Sequence, residues 1–185
     1  MTSIYKVTKS KAIKFMLLTV STVLIVSCGG HKPVTKSSNK GKTVTKKLTK
    51  YAPKETTAKV DKVITTARSY LGINYKFGGT TRNGLDCSGL MFCTFKSVDI
   101  TLPRTSTEQS KIGKPIKLND VQEGDLVFFT DKKGSSTITH VGMITRVEDA
   151  KTIKFIHAST KQGVVEENIF ASYYLPFFVK AVRVL

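Results

Sequence analysis

Apolar residues recur at Val60, Val63, Ile64, Ala67 and Leu71 within AKVDKVITTARSYLG, the three-and-four spacing that lines one face of a helix. Gly72 follows as a natural C-cap, so order is expected to begin near Thr57 and the first helix to close at that glycine. The next stretch, INYKFGGTTRNG, has no apolar period and is rich in Gly and Asn, which predicts a loop. Asp86 then stands as an N-cap for a second helix from Cys87 to about Ser97, with Leu90, Met91 and Phe95 turned to the core. Thr105 or Ser106 is placed to cap a short third helix holding Glu108 and Gln109.

From Gly124 onward the pattern becomes that of strands. GDLVFFT, THVGMITRV, TIKFIHAS and the terminal FVKAVRVL are β-branched and aromatic runs, divided by turn-like segments such as DKKGSS and EDAK. Helices first and strands afterwards predict an α+β domain over 57–185, its N-terminal helices packed on a central antiparallel sheet.

The first third of the chain reads differently. Lys6, Lys9, Lys11 and Lys14 precede the apolar run FMLLTVSTVLIVSC, which at about 14 residues falls short of the roughly 20 needed to span a bilayer. The run ends in Ile25-Val26-Ser27-Cys28, and this resembles a bacterial lipoprotein box. Residues 1–27 are then a signal peptide, and Cys28 carries the lipid, palmitate among its acyl chains; an uncleaved anchor or an ordinary signal peptide is the alternative. Residues 28–56 are dominated by Lys, Thr, Ser, Gly and Pro without apolar period, which predicts a basic tether.

Charge sharpens this division. Of the net +17, residues 1–60 carry thirteen lysines against Glu55 alone, while the rest of the chain sets 17 basic residues against 12 acids. A nucleic-acid arm is one reading of such a segment. It has no interleaved aromatics and follows an export signal, so a solvated linker near an anionic surface is preferred and no nucleic-acid partner is expected.

Chemistry enters with the three cysteines and three histidines. Cys87 falls at a loop-to-helix junction in LDCSGL, where a helix N-terminus and a neighbouring imidazolium would both favour the thiolate. Taken alone the signal is weak, and a buried structural thiol is the better fit. His31 lies in the tether, whereas His140 in THVGM and His157 in FIHAS occupy two expected strands. A thiol at a helix start facing two histidines makes a Cys–His–polar set, in which one ring moves the proton and the other orients it. Cys93, six residues after Cys87, would stand about 9 Å along the helix axis, too far for a disulfide, and is expected to be a small buried hydrophobe. Clustered Cys/His spacing for a metal is lacking, and neither metal nor cofactor is expected.

The motifs YLGINYKFGG, LDCSGL, LPRTSTEQ, EGDLVFF, HVGM and FIHAS, in that order over about 115 residues from Leu71, make the chain resemble the NlpC-type family of cell-wall cysteine peptidases. The resemblance implies a papain-like core, Cys87 as nucleophile, His140 as general base and His157 as the polar residue that orients it. It further implies that Tyr75 helps hold the oxyanion, and that Asp86, Ser88, Arg104 and Ser106 line the substrate groove, Arg104 meeting a stem-peptide carboxylate. The implied substrate is the peptidoglycan stem peptide, cut between D-γ-glutamyl and a diamino acid. Met143 departs from the Ile or Val usual in the family, and no accessory wall-binding domain is apparent, so capture would rest on the groove, the lipid anchor or partners. A monomer is expected, held in the bacterial cell envelope by its lipid, at the outer membrane and facing the periplasm or the surface. A wall amidase or acyltransferase on the same scaffold, and a catalytically idle wall-binding lipoprotein, are the competing readings.

Overall fold

In the computed structural model of the chain the described residues are 54–170 and 173–185; the expected signal peptide, Cys28 and the expected tether up to residue 53 lie outside them. Helix α1 (Lys54–Arg68) begins inside the segment assigned to the tether and ends before Gly72. The reason for that end is a competing partner. Gly72 N–H donates to the Val164 carbonyl and Val164 N–H returns to Ile73, so this backbone is drawn out of the helix. Leu71, expected on the helix core face, is therefore 46% exposed.

The loop that follows holds a two-residue ribbon, β1 (Thr80–Thr81) and β2 (Gly84–Leu85), and leads into α2 (Cys87–Lys96). Asp86 caps α2 as expected, and Leu90, Met91 and Phe95 are fully buried. Helix α3 (Ser106–Gln109) is capped by Thr105, whose hydroxyl accepts from the Glu108 N–H. Among the described residues no helix is long and apolar enough to cross a membrane.

The strands are β3 (Lys114–Ile116), β4 (Leu126–Phe129), β5 (His140–Asp149), β6 (Thr152–Ser159), β7 (Gly163–Asn168) and β8 (Phe178–Arg183). They form one antiparallel sheet in the order β3-β8-β4-β5-β6-β7. Two of them escaped the sequence pattern. Pro115 in β3 reads as a turn residue, and it is tolerated because β3 is an edge strand. In β7, Glu166, Glu167 and Asn168 interrupt an apolar run that is only Val164 and Val165 long.

The sheet is apolar on both faces, which explains why β4 reads as an unbroken hydrophobic run rather than an alternation. Leu126 and Phe128 join Val141, Met143 and Ile156 against α1 and α2. Val127 and Phe129 join Ile144, Phe155 and Ala181 on the other face, where Phe170, Tyr174, Phe177 and Phe178 complete the packing. His157, on the strand parity of Ile153 and Phe155, thus enters a layer rich in aromatic rings.

Candidate active site

The junction LDCSGL is built around one carboxylate. Asp86 accepts the Gly89 N–H at 2.7 Å, capping α2, and the Gly78 N–H at 2.8 Å, which ties the glycine loop to the helix start. The Ser88 hydroxyl donates to the same carboxylate, and the Arg104 guanidinium grips it with both terminal nitrogens while also donating to Ser88 Oγ. Burial alone would raise the Asp86 carboxyl. The Arg104 hydrogen bonds, the Gly89 amide and Ser88 outweigh it and hold the group below the ordinary carboxylate value. Arg104, expected to meet a substrate carboxylate, is here ion-paired with Asp86 while its side chain stays part-exposed.

Gly89 has a steric reason to lack a side chain. A methyl there would run into the Gly79 carbonyl oxygen and crowd Asp86 Oδ1, both fixed by the loop-to-helix contact. Gly89→Ala should cost about 2–3 kcal/mol of stability, as overpacking between backbones does. In a urea melt, Gly78→Ala, whose site has open space but φ +73°, should cost less than Gly89→Ala.

Cys87 is the first residue of α2 and is 8% exposed. Burial pushes its thiol above the ordinary value, and Asp86 adds to the push; the Val141, Ser88 and Cys87 backbone N–H groups oppose it without overcoming it. This direction runs against the lowering that the helix start was expected to give. Burial also lowers His140, to about 3, with His157 adding to the effect. Both shifts favour the uncharged forms, thiol at Cys87 and imidazole at His140.

Strands β5 and β6 place the two expected histidines side by side. His140 Nε2 lies 3.0 Å from His157 Nδ1, with the rings edge to face at 4.9 Å. His157 stacks on Phe155 at 4.7 Å, a contact permitted by Gly142, where a methyl would meet the Phe155 ring at 2.6 Å. The other His157 nitrogen, Nε2, faces Glu167 Oε2 at 2.9 Å and the Tyr174 hydroxyl at 3.1 Å. Neither partner was found in the sequence. Glu167 looks like one of a solvated acidic pair until β7 is recognised, and Tyr174 lies in the irregular segment before β8.

Tyr75, Cys87, Phe129, His140, His157 and Tyr174 line one cavity of about 550 Å³. A larger cleft of about 730 Å³ between α1 and β5 has neither cysteine nor histidine in its wall. Tyr75 is half-buried and bridges to Leu85, and burial followed by the Cys87 and Asp86 charges raises its phenol, which keeps it a donor. Asp86, Ser88, Arg104 and Ser106 do not line the cavity: the first three form the network behind Cys87, and Ser106 is buried at the start of α3. Cys93 is half-buried rather than buried, and its thiol donates to the Thr80 carbonyl at 3.0 Å. Both thiols are free.

The chain is similar to known proteins. The "Probable endopeptidase NlpC" of Escherichia coli K12 is 30% identical over 178 residues, covering 92% of this chain and 99% of its own length. A gamma-D-glutamyl-L-lysine dipeptidyl-peptidase of Bacillus subtilis is 41% identical over 81 residues, which is 44% of this chain and 27% of that relative's length. Among solved structures, an NlpC/P60 family protein from Bacillus cereus superposes with a TM-score of 0.63 at 31% identity, over 68% of this chain and 40% of the other. The sequence pattern of the NlpC/P60 family itself matches residues 72–183, the segment that contributes Tyr75, Cys87, His140 and His157. On that match and on the shared papain-like α+β core, the chain belongs to the NlpC/P60 family and is a peptidase acting on peptidoglycan.

Proposed function

We propose that this chain hydrolyses the amide between D-γ-glutamyl and a diamino acid in peptidoglycan stem peptides, with Cys87 as nucleophile. The observation that carries the reading is the hydrogen-bonded His140–His157 pair opening onto the same cavity as the Cys87 thiol. The Cys87 proton passes to His140 while sulfur attacks the carbonyl carbon, and the oxyanion is received by the Tyr75 hydroxyl and the Cys87 backbone N–H. The C–N bond then breaks, His140 returns its proton to the leaving amine, and a thioester remains on Cys87. Water, deprotonated by His140, attacks that thioester, releasing a carboxylate and restoring the thiol. His157 orients His140 throughout, and Asp86, Ser88 and Arg104 hold the nucleophile's helix in place. Cys28 carries a lipid that keeps the monomeric enzyme in the cell envelope, with the lysine-rich tether spanning the distance to the wall.

The Bacillus subtilis relative's name and the NlpC-type motifs support this choice of bond. A second relative, the Escherichia coli "Murein DD-endopeptidase MepS/Murein LD-carboxypeptidase", 36% identical over 115 residues, points to other stem-peptide bonds. Digestion of purified sacculi and soluble muropeptides, read by mass spectrometry, separates these. The expected products are fragments ending in D-glutamate with a free α-amine on the diamino acid. Cross-links opened without that product would favour the second assignment. Whole stems released from muramic acid would mean an amidase.

A further inference from the structure

We propose that Glu167 is the terminal positioning residue of the relay, fixing the tautomers of His157 and His140 and holding the positive charge that forms on them. The inference rests on the role given to His140 above. Ring packing by Phe155 and His140 sets where the His157 imidazole lies, but apolar contacts do not choose which nitrogen carries hydrogen. Glu167 makes that choice. A carboxylate accepts and does not donate, so the His157 nitrogen at 2.9 Å from Glu167 Oε2 must be the protonated one. The other, Nδ1, is then a bare acceptor, and the His140 Nε2 facing it at 3.0 Å must donate. His140 is left with its lone pair on Nδ1, the form that can take a proton from a thiol. One carboxylate thus determines, two rings away, whether the base is loaded or spent.

Tyr174 stands beside this contact. Its hydroxyl lies 3.1 Å from His157 Nε2, and its oxygen can accept the same Nε2 hydrogen that Glu167 draws. Burial, followed by Glu167, pushes the phenol well above its ordinary range, which keeps it protonated and able to donate toward that carboxylate. The remaining ionisable groups around the cavity are Cys87 on α2, Tyr75 in the glycine loop, Asp131 after β4, Lys161 between β6 and β7, and Tyr173 beside Tyr174. Among the hydrogen bonds recorded at the histidine pair, Glu167 is the only carboxylate partner. The adjacent Glu166 is taken by Arg68.

The test compares the full-length parent with Glu167→Gln, Glu167→Asp and Tyr174→Phe, following kcat and KM across pH on a soluble muropeptide. The imidazole nitrogens are followed in parallel by NMR in a Cys87→Ala background. A glutamine amide can donate to His157 Nε2 and so admits the opposite tautomer. Glu167→Gln should lower kcat about a hundredfold with KM within about threefold, and aspartate should recover part of that loss. Losing the negative charge disfavours imidazolium, so the acid limb of kcat/KM should move to lower pH. Tyr174→Phe should lower kcat several-fold in the same direction. His140 and His157 should both carry hydrogen on Nε2 in the parent and change in Glu167→Gln. Unchanged nitrogen signals, or a lowered rate with an unmoved acid limb, overturn the proposal. If the tautomers switch as expected while Cys87→Ala stays active, the relay stands and the reading of the reaction fails instead.

Discussion

Replacing Cys87 with alanine should reduce release of stem-peptide fragments by at least about a thousandfold while leaving the thermal midpoint within a few degrees of the parent. Loss of a nucleophile acting as a unit with its base removes nearly the whole covalent route, and what survives comes from binding and oxyanion donors alone. The structural cost is small because the side chain borders an existing cavity at the first helical position, where alanine is a good helix former. Thr130, Ser159 and Thr160 bring hydroxyls to the cavity wall, and among the described residues none of them is hydrogen-bonded to His140. Cys93→Ala provides the control. Its thiol bonds the Thr80 carbonyl and lies outside the cavity wall, so that variant should digest sacculi at nearly the parental rate. A Cys87→Ala protein that digests as well as the parent would remove the covalent mechanism altogether.

Local signals in the sequence carried a good part of this site because they act over a few residues. Asp86 and Thr105 cap the helices they were expected to cap, since an Asx or Thr cap needs only the amides two or three residues on. His140 and His157 fall on adjacent strands because their flanking β-branched runs are long enough to be strands by themselves. What could not be read depended on partners far along the chain. The end of α1 is set by Val164, more than ninety residues away, and Arg104 turns inward because Asp86 and Ser88 meet it across the loop. The thiol's rise depends on how deeply α2 is covered, which residue spacing does not report. Glu167 joins the histidines through β7, a strand whose first residues pair with the loop after α1 and whose later ones look like surface charge.

Asp86→Ala should destabilise the domain by about 3 kcal/mol and take most of the activity with it. Four groups lose their acceptor at once: the Gly89 and Gly78 amides, the Ser88 hydroxyl and the Arg104 guanidinium. The helix cap alone is worth about 1 kcal/mol, and removing one partner of a buried pair costs about 3–5 kcal/mol. Arg104 is part-exposed and can turn to water, which keeps the total at the lower end. Activity should fall because the cap fixes the first turn of α2, and with it the direction of the Cys87 bond toward the cavity. The pH dependence identifies the cause. The folded Asp86 carboxyl lies below its unfolded value, so its stabilisation is present in full above about pH 4 and fades as pH falls through the folded value. Urea melts from neutral to strongly acidic pH should show the gap between parent and Asp86→Ala narrowing over that window. A gap of constant size down to the lowest pH would assign the loss to packing rather than to the ionised cap.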